Sequence, residues 1–269
     1  MDINFTKKTY IMGVLNVTPD SFSDGGKYNS VEKAIWRSKE MIDQGADIID
    51  VGGESTRPNA LKISIDEELQ RVIPVIEQIS KFTPIISIDS SKAKVVEKAI
   101  EAGASIVNDI YGLQNDKQMA KVVAKNNCMV VIMHIKGTPQ NMQDSPNYND
   151  LINEITDYFK ESISIAKNAG IAGKNIILDP GIGFGKTVND NLEIIRNISK
   201  LKGFGYPIIL GASRKSFIGK ITGAEVNDRL TGSIAAISVG VINGVDIVRV
   251  HDVKETKQAV KILDGIIGK

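Results

Sequence analysis

The stretch from Ile85 to Asp109 reads IISIDSSKAKVVEKAIEAGASIVND and contains one complete repeat of the pattern that decides the fold. It begins with a short isoleucine-rich run, Ile85–Ile88, and its last short apolar run is Ser105–Val107. Between the runs, apolar residues recur at helical spacing on one face, and Gly103 follows as a stop signal. Short runs that are apolar at nearly every position are typical of strands buried on both faces of a parallel sheet. The stretch therefore predicts a strand, a helix and a second strand parallel to the first.

The same alternation extends along the whole chain. The predicted strands are Tyr10–Leu15, Ile48–Val51, Ile85–Ile88, Ser105–Val107, Met129–Met133, Ile176–Leu178, Pro207–Leu210 and Asp246–Val250. About eight segments with helical spacing lie between or after them, of which Asp116–Lys125 has the weakest pattern. No linker-like stretch or change in composition divides the 269 residues. Regular alternation at this length predicts a single-domain α/β protein, a (β/α)8 TIM barrel over residues 1–269, with an open doubly wound sheet as the alternative.

The composition excludes several classes of protein. Apolar residues make up 42% of the chain and the formal net charge is +1, which gives no indication of a nucleic-acid or membrane partner. The single cysteine, Cys128, lies in an apolar run, so we expect a buried thiol and neither a disulfide framework nor a cysteine-based zinc site. The N-terminus lacks the apolar stretch of a signal peptide. These features predict a cytoplasmic protein.

Polar residues follow nearly every predicted strand, at the end where barrels place their active sites. The seventh strand leads to residues 213–216, SRKS, which offer backbone amides, hydroxyls and cations. Arg249 and His251 follow two residues apart in the eighth strand, and so project from the same face. Barrels often bind phosphate with the loops after these two strands. The pattern therefore predicts an anion site, although any one of these residues alone would be read as structural.

Carboxylates follow other strands. Asp89 and Asp179 each come directly after an apolar run, where an ionised carboxylate needs hydrogen-bond donors. The amide-like N–H edge of a flat heterocycle would supply such donors, with Asn108 reading a neighbouring polar atom. Acid–base chemistry is the alternative, and the spacing of the residues does not separate the two.

Two nucleotide motifs fail on their spacing. Residues 181–187, GIGFGKT, follow a strand and precede a helix, but three residues separate the first glycine from the Gly-Lys pair, where a P-loop has four. The glycines also alternate, which excludes the dinucleotide-binding fingerprint. Two other connections, one between Phe22 and Tyr28 and the other at Gly52–Ile65, are long, polar and rich in glycine. We expect them to be mobile loops that cover the mouth of the barrel, with simple surface connections as the alternative.

Five separated segments resemble the dihydropteroate synthase family. They are residues 12–24, MGVLNVTPDSFSD; 50–58, DVGGESTRP; 179–186, DPGIGFGK; 213–216, SRKS; and 249–251, RVH. The resemblance spans nearly the whole chain. It implies a homodimeric barrel enzyme that is a target of sulfonamides. Such an enzyme condenses a 6-hydroxymethyl-7,8-dihydropterin diphosphate with 4-aminobenzoate, releasing diphosphate and the folate precursor 7,8-dihydropteroate.

The resemblance also implies residue roles. The implied catalytic residues are Asp89, Asp179, Lys215 and Arg249. The implied pterin pocket is Asp89, Asn108, Asp179 and Lys215, with Met133 against the plane of the ring. Arg249 and His251 would bind the diphosphate, and Asn16 would help to hold a Mg²⁺ cofactor on it. The implied aminobenzoate site is Thr56, Arg57, Pro58, Phe184 and Ser216. Cations at one side and carboxylates at the other suit a dissociative reaction, in which the leaving group departs before the amine attacks.

Three other functions are compatible with these residues. A pterin-binding methyltransferase module could share the barrel, but it would not need a diphosphate site. An aldolase or isomerase could use Lys215 to form a Schiff base. A catalytically silent paralogue could act only as a dimer partner. Production of dihydropteroate from the two substrates would discriminate among these hypotheses.

Overall fold

The computed structural model describes residues 3–18, 27–57, 60–83 and 85–269, with the backbone alone for residues 27–30. Eight parallel strands form one sheet in the order β6-β5-β4-β3-β2-β1-β8-β7. The strands are β1 Tyr10–Asn16, β2 Ile48–Gly52, β3 Ile86–Asp89, β4 Ile106–Asp109, β5 Met129–Met133, β6 Ile176–Asp179, β7 Ile209–Leu210 and β8 Ile247–Val250. A bridge between Leu178 and Ile208 joins β6 to the segment that enters β7 and so closes the barrel. The predicted (β/α)8 barrel is confirmed.

Helices surround the sheet in the described part of the chain. They are α1 Lys27–Asp43, α2 Ile65–Ile79, α3 Ala93–Glu101, α4 Met119–Lys125, α5 Leu151–Asn168, α6 Val188–Arg196, α7 Ile198–Lys202, α8 Ser216–Thr222, α9 Leu230–Ile242 and α10 Val253–Ile267. The sequence predicted one helix where α6 and α7 lie, and the chain breaks it at Asn197. The short helix α8 was not predicted, because the SRKS segment reads as a loop.

The main difference in the strands is at their C-terminal ends. The prediction ended four of the eight strands one residue too early and β4 two residues too early. Asn16, Asp89 and Asp179 are polar but still pair within the sheet. Strand β7 has only two residues, half of its predicted length. These three polar site residues therefore belong to the sheet itself rather than to the loops that follow.

Two apolar layers hold the barrel together. The larger one lies between strands and helices and includes Val51, Val107 and Val250. The smaller one fills the inside of the barrel with Met12, Ile48, Ile106, Met129, Val131, Ile177, Ile209 and Ile247. Side chains alternate along a strand, so residues two positions further along point inward again. On β2, β4 and β8 these next inward residues are Asp50, Asn108 and Arg249, whose side chains bond to one another. The barrel interior thus changes from apolar to polar toward the C-terminal ends of the strands.

Candidate active site

Arg249 lies in the polar layer above the inner apolar residues. Its Nε donates to Asp50 Oδ2 at 2.6 Å, and its Nη2 donates to Asp89 Oδ2 at 2.7 Å. Burial opposes the charge on this guanidinium, but the two carboxylates outweigh burial and raise the pKa of Arg249 above its ordinary value. Within the described part of the chain, Nη1 makes no hydrogen bond. Arg249 is therefore a fixed cation with one nitrogen available to an anion.

Asp50 is a residue to which the sequence analysis gave no role. Its side chain is completely buried, and its Oδ2 also accepts a hydrogen bond from Asn108 Nδ2 at 3.2 Å. Its Oδ1 has no partner among the described residues. Asp50 therefore orients both Arg249 and Asn108. A charged residue in the middle of the apolar run Ile48–Val51 is the sequence signal that could have revealed this role.

The carboxylates of Asp89 and Asp179 face the same cavity. Burial raises the pKa of Asp89 to about 7, with Arg249 opposing the increase and Asp50 adding to it. Burial also raises the pKa of Asp179, whose Oδ1 accepts a hydrogen bond from the backbone N–H of Gly181 at 2.7 Å. That N–H and the charge of Lys215 act in the opposite direction. Each carboxylate thus has one oxygen bound by the protein, as the sequence analysis required of an aspartate in a partly dry pocket.

Lys215 also lines the cavity, against an aromatic ring. Its Nζ is 4.2 Å from the centroid of the Phe184 ring. Burial lowers the pKa of Lys215 to about 8, with Arg249 contributing to the decrease and Asp179 opposing it. The ammonium and the ring together form a wall with one charged and one flat apolar surface.

These groups line a single cavity at the C-terminal end of the barrel. Its lining residues are Thr56, Asp89, Asn108, Ile110, Met133, Asp179, Gly181, Ile182, Phe184, Gly211, Lys215 and Arg249. Eight of these twelve residues are ones that the sequence analysis assigned to the site. The four additional ones, two glycines and two isoleucines, have no chemical signal in the sequence. The cavity therefore combines two carboxylates, an amide and two cations with an apolar wall.

Five predicted site residues are not among the residues that line this cavity. Asn16 is close to it, because a Cβ placed on Gly52 would lie 3.6 Å from Asn16 Oδ1 and 3.7 Å from Asp89 Oδ2. Arg57 and Ser216 are exposed at the protein surface. The remaining two are His251 and Pro58, and Pro58 lies outside the described residues. Most of the predicted loop between Phe22 and Tyr28 also lies outside them. Its last two residues already belong to α1.

His251 is fixed next to the cavity by its neighbour on the preceding loop. Its Nδ1 is 3.1 Å from Ser213 Oγ, and its backbone N–H donates to the same oxygen at 3.2 Å. Burial lowers the pKa of His251 to about 4, and the charges of Arg249 and Arg214 lower it further. The imidazole is therefore neutral at pH 7, and with Nδ1 bound to the serine hydroxyl its Nε2 can carry the proton.

Some polar strand ends have a structural role instead. Arg214, which the sequence analysis included among the anion-site residues, forms a two-point ion pair with Asp252. Asp109, at the end of β4, accepts hydrogen bonds from the backbone N–H groups of Tyr111 and Leu113. The side chains of both residues are used in holding loops, so Arg214 is not available to the anion site that the SRKS segment predicted.

His134 at the end of β5 is also structural, and it has an unpredicted partner. Its Nδ1 lies 2.9 Å from the Nζ of the buried Lys186. Burial lowers the pKa of His134 far below its ordinary range and the pKa of Lys186 to about 7. Lys186 also donates to the carbonyl of Phe184, so the pair supports the loop after β6. The lysine that suggested a P-loop in the sequence therefore binds its own loop.

The alternating glycines in residues 181–185 have a steric reason. Gly181 has φ +69°, and a Cβ there would lie 2.0 Å from the carbonyl oxygen of His134. Gly185 has φ +66°, and its Cβ would lie 2.3 Å from the carbonyl oxygen of Lys136. Only glycine fits at such contacts. The glycines bring the loop close to β5, which places Phe184 on the cavity wall.

A barrel with its polar groups at this rim is the arrangement of a small-molecule enzyme, and comparisons with known proteins identify the family. The profile described as "Pterin binding enzyme" matches residues 12–251. The chain is 50% identical over 268 residues to the dihydropteroate synthase of Bacillus subtilis, covering 99% of this chain and 92% of the relative. It is 51% identical to that of Clostridium beijerinckii, covering 99% and 97%. The chain therefore belongs to the pterin-binding enzyme family.

Solved structures identify the branch of that family. The dihydropteroate synthase of Clostridium difficile, crystallised with pteroic acid, superposes with a TM-score of 0.94 at 50% identity, over 100% of both chains. The Yersinia pestis enzyme, in complex with a sulfonamide drug, gives a TM-score of 0.94 at 41% identity, over 100% of this chain and 98% of that one. Within the family this chain belongs to the dihydropteroate synthases, which are transferases of folate biosynthesis. No helix in the described residues is long and apolar enough to cross a membrane.

Proposed function

We propose that this chain joins 6-hydroxymethyl-7,8-dihydropterin diphosphate to 4-aminobenzoate at the cavity lined by Asp89, Asp179 and Lys215, in a dissociative reaction that releases diphosphate. The observation that carries the proposal is the arrangement of charge in one cavity. Two carboxylates, one buried and one partly buried, can bind the N–H edge of a heterocycle together with an amide, and the partly buried cations beside them can bind an anion. Family membership supports the same substrates, because the relatives are dihydropteroate synthases.

The pterin ring would bind to Asp179, Asn108 and Asp89. The free oxygen of Asp179 would accept from the ring's N–H groups, since its other oxygen is already bound by Gly181. Asn108 is held by Asp50, so its remaining amide atoms can form a hydrogen bond with a neighbouring polar atom of the ring. Met133 is buried among apolar neighbours that include Phe184, and would pack on the face of the ring. The apolar wall and the polar edge together select a flat molecule with adjacent donors.

The diphosphate would bind to Arg249 and His251. Arg249 offers Nη1 while its other nitrogens keep the two carboxylates, and neutral His251 offers an N–H from Nε2. Asn16 would hold Mg²⁺ with its amide oxygen, and the oxygen donors near Gly52 are of the kind that Mg²⁺ prefers. The described residues contain no group of three or more His, Cys, Asp or Glu side chains that could form a protein-only metal site. With Asn16 as the proposed protein ligand, phosphate oxygens and water would complete the coordination. The ion would neutralise charge on the leaving group when bound.

The 4-aminobenzoate would bind between Phe184 and the segments that carry Thr56, Arg57, Pro58 and Ser216. Thr56 lines the cavity, whereas Arg57 and Ser216 are exposed at the protein surface, where they would meet the carboxylate of the substrate. Sulfonamide drugs would compete for this site, as the complex of the Yersinia pestis enzyme suggests. The aniline nitrogen is a weak base, so it needs little activation once a cationic pterin has formed.

The chemistry would proceed by loss of the leaving group first. Arg249 and His251 would stabilise the developing charge on the diphosphate, and Asp89 and Asp179 would stabilise the cationic pterin that remains. Lys215 would contribute its charge and its contact with Phe184 rather than a covalent bond. The proposed reaction therefore does not need a Schiff base.

The direct test is formation of 7,8-dihydropteroate by the purified protein from the two substrates with Mg²⁺. A matched control is Lys220→Met, because Lys220 is an exposed lysine near the end of the short helix after Lys215. We expect Lys215→Met to lower kcat strongly and Lys220→Met to leave it unchanged. Absence of product with the unmodified protein would reject the proposed function.

A homodimer is supported by an apolar surface on two adjacent helices. The side chains of Val239, Ile242, Ile262 and Ile266 are 45%, 59%, 68% and 72% exposed. They lie on α9 and α10, which pack against each other. Exposed apolar side chains grouped in this way are typical of an interface, and a second copy of the chain is the proposed occupant. Ile266→Lys should convert a dimer to a monomer in light scattering, whereas a monomeric unmodified protein would reject the idea. The cytoplasmic location stays a prediction.

A further inference from the structure

Next to the active-site cavity, a chain of three charged side chains links two loops. Lys92 Nζ lies 3.1 Å from Glu54 Oε2 and 2.5 Å from Glu68 Oε2. The three side chains are 20%, 18% and 0% exposed, respectively. Removing these charges from water is costly unless they are paired, and the cluster supplies each charge with an opposite one. No step of the proposed reaction uses it.

Glu54 and Lys92 belong to loops that serve different substrates. Glu54 lies two residues before Thr56, on the connection between β2 and α2 that carries the aminobenzoate residues. Lys92 lies three residues after Asp89, on the connection between β3 and α3. The ion pair therefore ties the pterin side of the cavity to the aminobenzoate side.

The second oxygen of Glu54 joins the two ends of its own loop. Glu54 Oε1 accepts a hydrogen bond from the backbone N–H of Ile63 at 2.8 Å. Ile63 precedes the N-cap residue of α2, Ser64. At the start of the connection, the carbonyl of Gly53 accepts from Arg71 Nη1 at 2.8 Å. Both ends of the connection are thus bound to α2 or to each other, which limits the positions that Thr56 and Arg57 can take.

Glu68 is the completely buried member of the cluster, and its pair with Lys92 fixes the cluster to α2. Glu68 is on α2, and its Oε1 has no partner among the described residues, so Lys92 is the partner that offsets its charge. A Cβ on Gly53 would lie 2.7 Å from Val72 and 3.1 Å from Glu68, so the loop starts in tight contact with the helix. Glu68 and Lys92 form a fixed anchor, and Glu54 attaches the loop to it.

We propose that Glu54 and Lys92 are positioning residues that hold the β2–α2 connection for 4-aminobenzoate. The inference rests on the proposed function, because it assigns the connection to the second substrate. Loss of the attachment should weaken the binding of 4-aminobenzoate without changing the pterin pocket. A merely structural role would instead lower the folded fraction and change both substrates alike.

The test compares KM values for the two substrates in three variants and a control. Glu54→Ala removes both contacts but keeps the Lys92–Glu68 pair, so the buried charge stays compensated. We expect it to raise KM for 4-aminobenzoate by about tenfold or more, the effect of one charge-assisted hydrogen bond. Calorimetry should give an unchanged Kd for the pterin diphosphate. Glu54→Gln keeps an acceptor for Ile63 and should have a smaller effect. Lys92→Arg keeps the cation and should retain most of the affinity.

The control is Glu77→Ala, an exposed glutamate on the same helix, α2, which should change neither constant. Equal increases in both KM values, or none with Glu54→Ala, would overturn the inference. If Glu54→Ala does not fold by circular dichroism, Glu54→Gln supplies the same comparison. The wild-type assay separates the two hypotheses, because an active wild type with unaffected variants rejects only the positioning role.

Discussion

Replacing Asp179 with asparagine should weaken binding of the pterin diphosphate by about 2–4 kcal/mol, or roughly 30- to 900-fold in Kd. In the structure Asp179 is buried, and its Oδ1 is committed to the backbone N–H of Gly181 at 2.7 Å. Only Oδ2 is left for the ligand. An asparagine keeps its oxygen on Gly181 and then presents its NH2 group to a ring edge that also carries N–H groups.

The magnitude follows from what is lost and what is added. One charge-assisted hydrogen bond disappears, which is worth about 1.5–3 kcal/mol, and two donors are left facing each other without an acceptor. Rotating the amide does not avoid the cost, because its NH2 group then meets the N–H of Gly181 instead. The charge that acts on Lys215 is also removed. All of these effects concern the pterin, so the affinity for 4-aminobenzoate should change much less.

The assay is calorimetric titration of each variant with the pterin diphosphate, followed by KM measurements for 4-aminobenzoate. Asp190→Asn is the matched control, since Asp190 accepts the backbone N–H of Thr187 in the capping box of α6 and lies on the surface. It should lower stability slightly and leave pterin affinity intact. An Asp179→Asn protein that is folded and binds the pterin as tightly as the wild type would refute the reasoning.

Three other predictions concern chemistry, pH and the loop after β6. In single turnovers at saturation with ring-substituted 4-aminobenzoates, the rate should be nearly independent of amine basicity, and a steep increase would indicate a concerted displacement. Pterin affinity should fall as the pH drops below about 7, because burial raises the pKa of Asp89 to about 7 and a protonated carboxyl is a poorer acceptor. In Asp89→Asn this pH dependence should disappear. If it persists, the titration belongs to another group. Gly181→Ala should lower the free energy of unfolding by roughly 2–5 kcal/mol in urea titrations, since its Cβ would meet the carbonyl of His134 at a positive φ. Gly205→Ala, also at positive φ but in open space, should cost clearly less, and equal losses would contradict the steric argument.

The fold could be predicted from the sequence because two periodicities are visible in it. Buried parallel strands are apolar at nearly every position, and the helices between them carry one apolar face. The strand ends were placed too early because Asp89 and Asp179 are polar, and composition alone marks a polar residue as the start of a loop. Whether these residues pair within the sheet depends on the neighbouring strand, which is distant in sequence.

The site could be predicted only where chemistry and position coincide. Asp89 and Asp179 were found because each is a charged residue directly after an apolar run, and Lys215 because it lies in the SRKS segment that follows the seventh strand. Asp50 was not assigned a role, although it lies inside such a run, because its partner Arg249 is 199 residues away. The ion pair of Arg214 with Asp252 was equally invisible, so a structural arginine was counted with the anion site. Long-range pairing decides whether a charged residue serves the ligand or the scaffold, and a single sequence does not contain that information.

Asp50 also explains how one small cavity can hold opposite charges without collapsing into closed ion pairs. Its Oδ2 accepts from Nε of Arg249 and so fixes the guanidinium, with Nη2 on Asp89 and Nη1 without a partner among the described residues. If Arg249 were free to turn, it would form a two-point pair with Asp89, and neither group would remain for a substrate. The completely buried aspartate prevents this by taking one nitrogen permanently. The cavity therefore keeps one open nitrogen for the departing diphosphate, while burial raises the pKa of Asp89 to about 7 against the opposing charge of Arg249. A charge separation of this kind, fixed before the substrate binds, is what a dissociative step needs from its protein environment.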